Sequence, residues 1–258
     1  MTEDDADRPG SSFYRELSIP LLAHELKGPL AVIETGIRTL LDRGGADAEA
    51  RRERTLRRVL RSALRAQALV DDLLEVGRAE AGLVERAPFP AAAAVTAALV
   101  DAIDAMDAEL AERISGAADA ALRAGLEAGG IEFEVAEPAR AALLDQDERK
   151  FRLVVSNLLR NALRFRRSRL RLRLDVEGGA VRLLVEDDGP GVAPADRDRV
   201  FERWARGAQI EGGARQGHGL GLAAARILAR AMRGDVTLIG EEGSRFLFTV
   251  PLAHPASS

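Results

Sequence analysis

The 258-residue chain has no cysteine, one tryptophan, one tyrosine and an aromatic content of 4%. Without cysteine there is no disulfide, no thiolate nucleophile and no cysteine-bound zinc, and a reducing compartment is compatible with the composition. The cytoplasm is the expected location. An excess of charge of one sign is also missing: 37 Lys and Arg against 41 Asp and Glu leave a net −4. No global field therefore directs the chain to nucleic acid or to an anionic membrane. Long hydrophobic runs are absent as well. The longest nearly apolar stretch, 90–100, has about half of the ~20 residues a membrane helix needs and ends at Asp101. The acidic start MTEDDADRPGSS lacks the basic and apolar segments of a signal peptide, and 1–12 is expected to be a disordered leader. What is abundant is Ala, Leu and Arg, which favour helix. A hydrophobic content of 47% with 30% charge is ordinary for a globular protein, and ~150 residues per domain gives one to two domains.

Between Ser11 and Asp42, Leu17, Leu21, Leu22, Leu26, Leu30, Ile33, Ile37, Leu40 and Leu41 recur at threes and fours, the stripe of an amphipathic helix. Pro20 and Pro29 fall inside it, so a kink or a late start is expected. The sequence RGG at 43–45 closes this helix. From about Ala46 to Ala81, Leu56, Leu60, Ala63, Gln67, Val70 and Leu74 follow a heptad with mostly apolar a and d positions. The expectation is an antiparallel helical hairpin. Two helices leave their stripes uncovered, and pairing two hairpins into a four-helix bundle covers them, so a homodimer is expected.

Gly82 and APFPA at 87–91 break the periodicity and mark a domain boundary. Residues 92–128 are Ala-rich and helical, as one long helix or two shorter ones. After Gly129 and Gly130, strand and helix alternate: IEFEVAE as a strand, Asp145 to Arg167 as a helix, RLRLRLDV and VRLLVE as strands around a GlyGly turn, Leu220 to Met232 as a helix, then DVTLIG and RFLFTV. Leu170, Leu172 and Leu174 take one strand face and arginines the other, a solvated face rather than a nucleic-acid surface. Helices on one face of a largely antiparallel sheet make an α+β sandwich.

Three clusters carry chemistry. In DDGPG, Asp187 ends a strand and Gly189 and Gly191 let the backbone approach a ligand. Alone, the pentapeptide also reads as a tight turn with solvent-facing acids. In GHGLGL, Gly217, Gly219 and Gly221, with Leu220, precede an apolar helix and leave backbone amides for phosphate oxygens. The spacing does not fit a dinucleotide fingerprint. In NLLRNALRF, Asn157 and Asn161 share a helix face. An amide oxygen suits magnesium that also holds phosphates and waters, and Arg164, a turn on, is a candidate phosphate contact. Two helical asparagines are otherwise surface or capping residues. Near the N-terminus, HELKGPL places His24, Glu25 and Pro29 on an apolar helical stripe. An imidazole near its ordinary pKa of ~6.5 is roughly three-quarters neutral at pH 7, with a lone pair to offer.

In order along the chain, HELKGPL, NLLRNALRF, VEDDGPGV, VFERWARG and GHGLGL resemble the phosphoacceptor, asparagine, first glycine, phenylalanine and second glycine boxes of sensor histidine kinases. LVDDLLEVGRAEAG resembles the end of their second dimerisation helix. The resemblance implies a dimerisation and histidine phosphotransfer hairpin at 13–86, a Bergerat-fold ATP-binding domain at 87–254 and a tail at 255–258. It implies His24 as phosphoacceptor, Glu25 as its acid–base partner, Asn161 as magnesium ligand and Asp187 as adenine reader. Residues 201–216 would form the ATP lid, with Phe201, Arg203 and Arg206 anchoring it or meeting phosphates. His218 and His254 are weaker candidates. ATP and Mg2+ are the implied substrate and ion, and the receiver domain of a response regulator is the implied partner. The alternatives are a non-catalytic phosphotransfer or scaffold protein that has lost ATP binding, and an ATPase or serine kinase of the same fold.

Three positions depart from the family pattern. Related ATPases carry a water-activating glutamate where this chain has Asn157, so slow hydrolysis is expected. Gly28 stands where many relatives have Thr or Asn to position water for dephosphorylating the regulator, so weak phosphatase activity is expected. Arg164 replaces a usual lysine, which changes geometry at constant charge. About twenty residues precede His24, and input is therefore expected through a separate sensory partner, through 92–128 or not at all.

Overall fold

The computed structural model describes residues 19–41, 48–105, 110–111, 114, 119–197, 199–202, 221–240 and 243–252. The chain divides into the units Met1–Ala81 and Gly82–Ser258. Among the described residues, no helix is long and apolar enough to cross a membrane.

In the first unit, α1 (Ile19–Leu41) and α2 (Ala48–Glu80) run antiparallel. Pro29 lies inside a continuous α1, and the Ser62 hydroxyl donates to its carbonyl at 3.1 Å. Further along, Gly36 is buried at the crossing: a Cβ there would meet Val59 Cγ2 at 2.3 Å and Thr55 Cγ2 at 3.6 Å. Close approach of the helices thus depends on a missing methyl group. Gly36→Ala gains up to ~1 kcal/mol of helix propensity, but overpacking against a stiff β-branched side chain costs about 1–3 kcal/mol. The expected result is a lower melting temperature for Gly36→Ala, recovered by adding Val59→Ala; equal melting curves for Gly36→Ala and wild type would contradict the packing.

The heptad does not face the hairpin's own seam. Leu56, Leu60, Val70 and Leu74 are 50%, 60%, 41% and 53% exposed. Leu30, Ile37 and Leu41 of α1 and Leu64 of α2 are exposed with them. Leu69 and Ser62, between those positions, are buried instead.

The second unit opens on a strand the sequence did not announce. β1 (Ala87–Pro90) pairs antiparallel with β3 (Leu143–Gln146), with Phe89 opposite Leu144. The segment APFPA breaks the sequence periodicity, and Pro88 and Pro90 cannot donate to a ladder, yet a two-stranded ribbon at an edge tolerates both. Phe89 fills the core beside Phe151, whose ring also meets Phe248, with centroids 5.4 Å apart in each pair. The Ala-rich region provides two described helices, α3 (Ala91–Asp104) and α4 (Asp119–Ala128). α3 buries Ala91, Ala94, Val95, Ala98, Leu99, Ala102 and Ile103, the three–four spacing of one packed face.

A five-stranded sheet, in the order β2 (Ile131–Val135), β4 (Leu170–Glu177), β5 (Ala180–Asp187), β7 (Ser244–Pro251), β6 (Asp235–Leu238), carries the rest. All pairs are antiparallel except β2 with β4. Between β2 and β3 lies the short helix α5 (Glu137–Arg140). Gly178 and Gly179, with φ of 61° and 76°, make the two-residue turn that joins β4 to β5. One sheet face buries Leu170, Leu172, Leu174, Val181, Leu183, Val185, Phe246, Phe248 and Val250. The other carries cross-strand ion pairs, Arg171–Glu132 at 2.9 Å, Arg173–Glu134 at 3.2 Å and Arg245–Glu186 at 2.7 Å. The arginines of β4 are thus paired at home, in agreement with a solvated face.

Helix α6 runs Glu148–Phe165, not Asp145 to Arg167. Asp147 stops it at the front: its carboxylate accepts the Lys150 amide at 3.1 Å and pairs with the buried Lys150 ammonium at 2.7 Å. The same carboxylate accepts the Glu85 amide at 3.1 Å. Burial is the largest single influence and pushes the Asp147 carboxyl up, but the hydrogen bonds and charge of Lys150 and the Glu85 amide together hold it below its ordinary value. Behind α6, α7 (Gly221–Ala231) buries Ala225, Leu228 and Ala229.

Candidate nucleotide site and phosphoacceptor helix

The sheet and two helices bring together one end of β5, the second half of α6 and the first residue of α7. Asp187 is the last residue of β5 and is 3% exposed. Its Oδ1 accepts the Gly189 amide at 2.9 Å, while the buried Oδ2 has no hydrogen-bond partner among the described residues. Burial pushes the carboxyl up from its ordinary value, offset in part by the Gly189 amide and by Ser244, which faces it across the β5–β7 ladder. A buried acceptor without a donor is rare in native proteins and marks a place for a ligand donor. The turn after it has no room for side chains: a Cβ at Gly189 would meet the Phe165 carbonyl oxygen at 2.5 Å, and Gly191 has φ +74°.

Asp188, which sequence reading passed over, fixes this turn. Its carboxylate accepts the amides of Arg167 at 2.8 Å and Ser168 at 3.1 Å and the Ser168 hydroxyl at 2.8 Å. The Arg169 amide, then Ser168 and Arg167, hold its carboxyl far below the ordinary carboxylate range. The segment that follows α6 is thereby tied to the turn that follows β5. A second acid beside polar loop residues twenty positions earlier was the available signal; its partners lie too far away in sequence for spacing to reveal them.

Asn157 is 3% exposed, and its Oδ1 accepts from the Arg160 guanidinium at 2.6 Å. Its Nδ2 is buried without a partner among the described residues. Asn161, one turn on, is half-buried, and Arg164 is exposed with its guanidinium 4.9 Å from the centre of the Phe165 ring. At Gly221 a Cβ would lie 3.0 Å from Asn157 Oδ1, so α7 begins against Asn157. From that contact to the contact of Gly189 with Phe165 is eight residues of α6, about 12 Å at 1.5 Å per residue. Among the described residues, this stretch therefore has an unpartnered acceptor, Asp187 Oδ2, at one end and an unpartnered donor, Asn157 Nδ2, at the other. The entry to the segment 203–220 is also held: Phe201 meets Phe246 edge-on at 6.2 Å and lies under the Arg226 guanidinium at 4.7 Å.

His24 and Glu25 lie in the second turn of α1. Of Gly28 the surroundings are described: a Cβ there would meet nothing within 4 Å. Arg203, Arg206, Gly217, His218, Gly219, Leu220 and His254 lie outside the described residues, as do 1–12, the 43–45 turn and 255–258. No group of three or more His, Asp or Glu that could hold a metal occurs among the described residues. A cation here would rest on the Asn161 amide oxygen, phosphates and water, the coordination magnesium accepts.

A helical hairpin bearing a histidine, joined to a sandwich with a buried strand-end acid, a paired-asparagine helix and glycine turns, defines a phosphoacceptor domain coupled to an ATP-binding domain. Comparison with known proteins agrees. Residues 19–82 match the His Kinase A (phospho-acceptor) domain, and residues 146–254 match the Histidine kinase-, DNA gyrase B-, and HSP90-like ATPase. The chain is 42% identical over 110 residues to the sensor protein RstB of Escherichia coli, covering 42% of this chain and 25% of that protein. It is 30% identical over 236 residues to the sensor histidine kinase Hik2 of Thermosynechococcus vestitus, covering 89% of this chain and 57% of the relative. Among solved structures, the Acinetobacter baumannii histidine kinase AdeS has the same fold, with a TM-score of 0.59 at 19% identity over 90% of this chain and 98% of that one. Full-length ShkA, solved in complex with AMPPNP, gives a TM-score of 0.56 at 26% identity, covering 92% of this chain and 46% of that one. The chain belongs to the sensor histidine kinase family. It spans between 25% and 60% of the length of curated relatives such as RstB, Hik2 and the cyanobacterial kinase SasA.

Proposed function

We propose that the protein transfers the γ-phosphoryl group of ATP to His24 and passes it to an aspartate on the receiver domain of a response regulator. The observation that carries the reading is the Oδ2 of Asp187, a buried acceptor without a partner among the described residues and suited to the amino group of adenine. The residues around it fit the same ligand, with close-approach glycines beside the base position and Asn157, Asn161 and the start of α7 at the phosphate end. Bound through Asn161, a magnesium ion would neutralise phosphate charge. In the transfer, an imidazole nitrogen of His24 forms a bond to the γ-phosphorus as the bond to the bridging oxygen breaks and ADP leaves. Glu25, next in the chain, orients the ring and stabilises its growing positive charge. Catalysis of this kind is positioning and electrostatics. With Asn157 in place of a carboxylate, no base stands there to activate water, which disfavours simple hydrolysis. The exposed row of Leu30, Ile37, Leu41, Leu56, Leu60 and Leu64 supports a second copy of the hairpin completing a four-helix bundle.

The test is incubation of the purified chain with γ-labelled ATP and Mg2+. Label that is lost in acid and stable in alkali is expected, and acid-stable label would point to a hydroxyl acceptor and a serine kinase. Absence of both label and ATP binding would leave a scaffold or phosphotransfer protein that has lost the nucleotide.

Gly28 has open space around it, so its lack of a side chain is not imposed by packing. Gly28→Thr is expected to fold normally and to speed the loss of phosphate from the cognate regulator by about a hundred-fold, the low end for a positioned acid–base group. Regulator dephosphorylation as fast with wild type as with the variant would refute the weak-phosphatase reading.

A further inference from the structure

Arg160, three residues after Asn157, matches no role assigned so far. Its guanidinium donates to Asn157 Oδ1 at 2.6 Å. A guanidinium only donates, and so does an amide NH2 group, so the Asn157 amide must turn its oxygen to Arg160 and its nitrogen away. That nitrogen is a donor with no acceptor among the described residues, on a residue that is 3% exposed. Few native donors stay in that condition unless a ligand supplies the acceptor. Beside the same amide lies Gly221, the first residue of the eleven-residue helix α7, and a helix N-terminus favours negative charge. The orphaned donor and the helix end are independent features that call for the same group, an anionic oxygen.

We infer that Arg160 is a positioning residue that locks the Asn157 amide so that Nδ2 donates to a phosphate oxygen of the bound nucleotide. The inference rests on the ATP-binding reading above and divides the two asparagines. The oxygen of Asn157 is already engaged, so Asn161 alone is left for the cation. Where related ATPases place a base, this chain holds a fixed donor that binds phosphate and cannot take a proton from water.

The experiment is calorimetric binding of a non-hydrolysable ATP analogue with Mg2+ to the full chain. Arg160→Met removes the donor at similar length and is expected to weaken binding about ten-fold, as for a hydrogen bond to a charged partner. Arg160→Lys, which keeps a cationic donor, is expected to recover all but about three-fold. Because Arg160 acts through Asn157, Arg160→Met should cost nothing more in an Asn157→Ala background. An equal loss in both backgrounds, or unchanged binding by Arg160→Met, overturns the inference. A merely structural role lowers thermal stability and leaves the two losses additive. Failure of the wild-type chain to bind the analogue would instead defeat the ATP-binding reading itself.

Discussion

His24→Gln is expected to remove the acid-labile label entirely, a fall of roughly a thousand-fold or more to background, because the reaction loses its nucleophile. The amide nitrogen of glutamine is conjugated with its carbonyl and offers no comparable lone pair to phosphorus. Glutamine is also a good helix former, so α1 and the hairpin should persist, with circular dichroism and melting temperature close to wild type. Nucleotide affinity should stay within about two-fold of wild type, since the binding residues belong to the other unit. Label that survives His24→Gln would move the acceptor to another histidine and overturn the assignment of HELKGPL. Loss of label together with loss of ATP binding would mean a folding defect, which the melting curve and the analogue titration detect.

Asp187→Asn is expected to weaken ATP binding by roughly 100-fold, the loss of a hydrogen bond to a charged, buried acceptor. The wild-type carboxylate gives one oxygen to the Gly189 amide and keeps the other free. An asparagine has one oxygen for two tasks. If it serves Gly189, its NH2 group faces the adenine amino group, donor against donor; if it turns to adenine, Gly189 is abandoned. Stability should move the other way. Burial raises the pKa of Asp187 in the fold, so the native state holds its proton more tightly than the unfolded chain. Its contribution to stability is present at low pH and is lost as pH rises through the folded value, which leaves the ionised group a net cost near neutrality. The nucleotide-free variant is therefore expected to melt at a higher temperature than wild type at neutral pH and to lose that advantage in acid. A variant that binds ATP as wild type does would remove Asp187 from the site. A variant that melts lower throughout would show that the carboxylate stabilises the empty domain.

The candidate site was legible in the chain because its side chains are few and local in sequence. Asn157 and Asn161 share a face by helical spacing alone, and Asp187 with its glycines is a contiguous turn. Asp188 and Arg160 were not legible. Asp188 acts on Arg167 and Ser168, some twenty residues away, and Arg160 looks like one more charge on an arginine-rich helix until the 2.6 Å contact to Asn157 is seen. The strand β1 was missed for a related reason. Pro88 and Pro90 argue against strand by local rules, and only the partner β3 and the pocket for Phe89 overcome them.

Periodicity and composition by themselves determined the helical hairpin and the alternation of strands and helices after Gly130, since these depend on neighbours three, four or two residues apart, while the order of the chemical boxes was legible as a resemblance to a known family. Tertiary structure decided what depends on distant partners. It turned the heptad of α2 outward, away from its own hairpin, by setting Gly36 against Val59 at the inner seam. It placed β2 parallel to β4 while every other pair in the sheet runs antiparallel. It also left one oxygen of Asp187 and one nitrogen of Asn157 without partners among the described residues, because burial and hydrogen-bond satisfaction are properties of the packed chain and not of any segment of it.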